Sequence, residues 1–90
     1  MIHTSYVHHM NHRGGVCLAY EPTTEHFKDR SVPVVYKVTT VFCHPKDDYT
    51  KKTGRMLADE NLAAGQFIYV RVPPYMTPRE FFWEMAENIS

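Results

Sequence analysis

This sequence has no excess of charge of either sign, no cysteine framework and no long apolar run. Ten lysines and arginines balance ten aspartates and glutamates. A formal net charge of zero works against a general nucleic-acid binder, which usually carries a basic surplus. Two cysteines, Cys17 and Cys43, cannot form a disulfide scaffold. No apolar stretch approaches the roughly 20 residues a membrane helix needs, so no membrane partner is expected. Met1 to His12 is polar and His-rich where a secretory leader would be apolar. The expected location is therefore cytoplasmic, a reducing compartment that keeps both thiols reduced. Only four glycines are present, and Gly14-Gly15 fits neither phosphate-binding glycine motif. There is no internal repeat and no low-complexity linker, so residues 1–90 are expected to form one domain.

What is present is core material. Hydrophobic residues are 43% of the chain and aromatics 13%, enough to fold. Four histidines within Met1 to Arg13 follow no clean period. That segment is expected to be a loosely ordered arm, or a strand that needs a partner. Val16, Leu18 and Tyr20 alternate with Cys17 and Ala19, the pattern of a short strand with one buried face. Val34 to Cys43 is almost wholly β-branched or aromatic, which predicts a central strand covered on both sides. Phe67 to Val72 is a third strand, stopped by Pro73-Pro74.

Two helices complete the pattern. Proline at the first helical position and Asp47 in the first turn predict a helix over 45–60. Its inner face would be Tyr49, Thr53, Met56 and Leu57, spaced i, i+4, i+7, i+8. Gly54 interrupts it and suggests close approach to another backbone, here the sheet. Gly65 closes the segment. Thr77-Pro78-Arg79-Glu80 is a capping box that starts a second helix over 78–88, burying Phe82, Met85 and Ile89, with Phe81 beside them. The expectation is an α+β domain, order β-β-α-β-α, with two helices packed on a three-stranded sheet.

Several residue groups invite a chemical reading. His8 and His12, four apart, would share a face on a helical turn, with His9 beside them, and zinc favours imidazole. Neither paired close-spaced cysteines nor His-Glu-x-x-His accompanies them, and a solvated polar arm is the commoner case. Cys43-His44 suggests a thiolate–imidazole pair, but adjacent residues on a strand point to opposite faces. Lys51, Lys52 and Arg55, with Arg71, could hold a phosphate backbone, although Asp47, Asp48, Asp59 and Glu60 dilute that field. Phe81, Phe82 and Trp83 are consecutive on one helix, so Trp83 is pushed to the flank if Phe82 points inward. With Tyr75 and Met76 just before the cap, Trp83 would form a protein-binding surface. No set of nucleophile, base and oxyanion donor is visible, so no enzyme activity and no cofactor are expected.

One segment carries a resemblance. It comprises Phe42-Cys43-His44-Pro45-Lys46-Asp47-Asp48-Tyr49, then Lys51-Lys52-Thr53-Gly54-Arg55 and Asn61-Leu62. It resembles small accessory proteins of tailed bacteriophages, which carry Cys-x-Pro-x-Asp-x-aromatic, then Lys-x-Gly-Arg and an Ala-x-x-x-Leu helix end. Arg13-Gly14-Gly15 and Ala58 to Leu62 fit the same frame. The resemblance brings no catalytic residue with it. It implies a phage accessory protein that binds a host protein, such as a nuclease, polymerase or defence factor, and disables or redirects it in the host cytoplasm. A nucleic-acid-binding domain is the alternative, and a small metal-binding domain the next.

Overall fold

The computed structural model describes residues 4–11, 14–23, 34–43 and 51–89. Four strands form one antiparallel sheet in sequence order: β1 (Ser5–Asn11), β2 (Gly14–Pro22), β3 (Val34–Cys43) and β4 (Ile68–Val72). Helix α1 (Lys51–Ala63) follows β3, and α2 (Pro78–Ile89) follows β4. The α+β class is as expected, but the sheet has four strands where the sequence suggested three. The extra strand lies in the His-rich segment expected to be a loosely ordered arm or a strand that needs a partner, and the second of these is what forms. Its order comes from pairing with β2, from Ser5↔Tyr20 through Asn11↔Gly14. Of the 45–60 helix, residues 45–50 lie outside the described residues; the rest continues to Ala63.

The two helices lie on opposite sides of the sheet. Side chains alternate along a strand, so each strand feeds two cores. Val7, Val16, Leu18, Tyr20, Tyr36, Val38 and Val72 point towards α2, where they meet Phe82 and Ala86. Cys17, Ala19 and Val41 point the other way and meet Ala58 of α1. Strand β2 is accordingly buried from Gly14 to Tyr20, not on one face only. Strand β3 is interior, as its composition predicts, although its end emerges at Phe42.

The inner face of α1 differs from the expected one. Met56 is 55% exposed and Leu57 is also exposed, while Gly54 and Ala58 are the buried positions. Tyr49 lies outside the described residues and Thr53 is exposed. Ala58 on α1 meets the small residues Cys17 and Ala19 on β2, and Gly54, one turn earlier, is buried as well. The helix ends as its glycine predicts. Gly65 takes a φ of 78°. Its N–H donates to the Leu62 carbonyl (3.3 Å) and that of Gln66 to the Asn61 carbonyl (2.8 Å). Those two bonds satisfy carbonyls that the last turn would leave open.

Helix α2 begins where the capping box places it. The Glu80 N–H donates to Thr77 Oγ1 at 3.2 Å. Thr77→Ala should therefore lower stability by about 1 kcal/mol, read as a shift in the urea midpoint. Phe82 and Ala86 are its buried residues; Phe81 and Met85 are half-buried, and Ile89, expected inside, is exposed.

Candidate functional site

The register of β4 creates the most distinctive surface. Strand β4 pairs with only the first half of β3, from Val34↔Val72 to Val38↔Ile68. The second half of β3, Thr39 to Cys43, extends beyond it. Among the described residues no strand pairs with that stretch on the β4 side. Backbone donors and acceptors on such an edge can accept another strand.

A groove of about 490 Å³ lies along this step, where a longer β4 would run. Both helical layers contribute to it. Val38, Thr40, Phe42 and Ile68 line it with Met85 and Ile89 of α2; Thr39, Phe67, Asn61 and Gln66 line it from the α1 side. Phe42 and Ile68 are each 63% exposed at its rim, and Ile89 is exposed beside them. Single exposed apolar residues are ordinary, but several converging on one groove beside an open strand edge mark an interaction surface.

The residues singled out from sequence for protein binding lie elsewhere. Tyr75 is 85% exposed in the turn before α2. Met76 is half-buried, and its N–H donates to the Pro73 carbonyl at 3.3 Å. Trp83 is 43% exposed. Its ring meets His9 edge-on at 5.6 Å, and its Nε1 donates to Glu87 at 3.1 Å. The tryptophan is thus on the flank, as its helical phase requires, and leans towards β1. Met85 and Ile89 lie on the opposite flank, towards β3. Tyr75 precedes the start of α2, whereas the groove meets its end, about 18 Å further along the helix.

The cations divide into two groups. Lys51, Lys52 and Arg55 are exposed on α1 at the β1 side. Arg55 lies over the Tyr6 ring at 5.9 Å, and the Tyr6 hydroxyl donates to Asp59 Oδ1 at 2.5 Å. Burial, with help from that Asp59 contact, pushes the Tyr6 phenol up to about 12. The His8 imidazole is held below its ordinary value by burial and then by Lys51 and Arg55. Arg71 is on β4, at the other edge of the sheet. Three strand spacings, about 14 Å, separate those edges, so Arg71 does not join the α1 cations in one patch.

The histidines do not converge either. His8 and His9 are consecutive on a strand, so His8 faces the α1 cations while His9 faces Trp83. The Nδ1 atom of His9 is buried with no hydrogen-bond partner among the described residues. His12 lies outside the described residues. No group of three metal-ligating side chains occurs among the described residues. Cys17 is fully buried in the α1 core; the Cys43 side chain and His44 are outside what is described. No described helix is long and apolar enough to cross a membrane. Comparisons with family models, curated proteins and solved structures find no match.

The groove was not singled out from sequence. Phe42 and Ile68 are apolar residues within strand patterns, and such residues are ordinarily core. Only the register, with Ile68 opposite Val38, puts them at a step.

Proposed function

We propose that this domain works without catalysis, by docking a protein partner that adds an extended segment to the open edge of β3. The observation that carries the proposal is the five-residue stretch Thr39 to Cys43, which pairs with β2 on one side but, among the described residues, has no strand on its β4 side and is flanked there by the apolar groove. Strand addition draws affinity from backbone hydrogen bonds and specificity from pockets for alternate side chains. Five residues of strand span about 17 Å. Thr40, Phe42 and Ile68 would contact apolar side chains of the incoming segment on the α2 side. If the chain acts as the phage-type accessory protein that its Arg13 to Leu62 stretch resembles, the partner is a host protein.

The test compares two variants of the purified domain. Phe42→Arg places a charge in the groove without opening the core, and should abolish capture of a partner protein. Trp83→Ala should retain capture if the groove is the site. The reverse pattern would place docking on the Tyr75, Met76 and Trp83 surface and end the groove proposal.

A further inference from the structure

We propose that the open half of the sheet on the α1 side, carried by Lys37, Phe67, Tyr69 and Arg71, is a stacking platform for single-stranded nucleic acid. Among the described residues, helix α1 packs mainly on β2 and β3, and the same face of β4 carries exposed side chains. Tyr69 and Arg71 point from β4 to that side and are exposed. Their partners across β3 are Lys37 and Val35, which share the face. The Phe67 and Tyr69 rings meet edge-on at 5.5 Å, and Lys37 Nζ lies 5.2 Å from the centre of the Phe67 ring. Two aromatic rings between two cations on an open strand surface match the needs of a single strand. Bases stack on the rings, and the cations take the phosphates.

Zero net charge does not oppose this, because the charges of the described residues are segregated. Of the six lysines and arginines among the described residues, five lie on the α1 side: Lys37, Lys51, Lys52, Arg55 and Arg71. The α2 layer carries Glu80, Glu84 and Glu87 against Arg79 alone. Among the described residues, the carboxylate that faces the platform across the sheet is Glu21, opposite Lys37 in the β2–β3 register. It already accepts a hydrogen bond from Thr4 Oγ1 at 3.0 Å. Asp59 and Glu60 stand on α1, and Asp59 is engaged by Tyr6. Single strands are favoured over a second protein here because the patch combines π-faces with cations rather than with an apolar hollow.

This site adjoins the docking groove but does not rest on it. Phe67 borders both, so the test uses Tyr69 and Arg71, which do not line the groove. Fluorescence anisotropy should follow a labelled oligothymidine and an oligouridine of about 12 nucleotides, in about 50 mM salt, with a duplex for comparison. The wild-type protein should bind the single strands more tightly than the duplex, with affinity that falls as salt rises. Tyr69→Ala and Arg71→Ala should each weaken binding about ten-fold or more. Both side chains are exposed, so unchanged circular dichroism should accompany the loss. Lys51→Ala should stay within about two-fold of wild type, as its site is the other edge. Failure of the wild-type protein to bind either strand at about 100 μM would overturn the proposal. So would wild-type affinity in Tyr69→Ala, or loss confined to Lys51→Ala.

Discussion

Phe82→Ala should lower stability by about 3–5 kcal/mol, the range for deleting a buried phenylalanine, and should remove a large share of what holds the domain folded. Small domains have only about 5–15 kcal/mol of stability in total, and a 90-residue chain has a small core. Phe82 is fully buried at the centre of an aromatic cluster. Its ring stacks on Tyr20 at 4.4 Å and meets Tyr36 at 5.5 Å and Phe81 at 5.2 Å. Those neighbours come from β2, β3 and α2, so the cavity would loosen the whole α2 layer. Trp83→Ala, one residue along, should cost about 1–2 kcal/mol. It removes one edge-on contact with His9 and one hydrogen bond to Glu87. Urea denaturation of both variants checks the pair. Equal losses would mean that Trp83 is a core residue.

Ala58→Leu should be the second severe change, at about 1–3 kcal/mol or more. Ala58 is fully buried against Cys17, Ala19 and Val41. Leucine there must either displace the sheet or lift α1 from it. Met56→Ala, two positions earlier on the exposed side, should change stability by no more than about 0.5 kcal/mol. Thermal melts of the two variants would separate them. A larger loss at Met56 would mean that the helix presents its bulky residues to the sheet, as hydrophobic periodicity alone suggests.

That contrast shows what could be read from the residues and what could not. Local signals transferred well. The Thr77 cap, the Gly65 stop and the β-branched run of β3 each depend on the conformational preferences of a few neighbouring residues. The face of α1 did not transfer, because period counting weights Met56 and Leu57 by hydrophobicity, whereas close packing on a sheet selects Gly54 and Ala58 for size. Strand β1 was obscured for a different reason. His8 and His9 count as polar in a pattern, yet each is half-buried once β2 supplies hydrogen bonds on one side and α2 packs on the strand. The groove lay furthest from view. It depends on where β4 begins relative to β3, and strand register is a non-local property that no window of sequence contains. The stacking platform follows from the same register, which sets Tyr69 opposite Lys37 and Arg71 opposite Val35.

The docking proposal is tested most directly by photocrosslinking from single positions. A photoreactive phenylalanine analogue replaces Phe42, Tyr75 or Trp83 in turn, and the purified protein is irradiated with its captured partner. Phe42 lies at the rim of the groove beside the open edge of β3, whereas Tyr75 and Trp83 lie on other surfaces. The proposal predicts a strong crosslink from position 42, joined to an extended, apolar segment of the partner, and weak or no crosslinks from 75 and 83. Efficient crosslinking from 75 or 83, with none from 42, would contradict it.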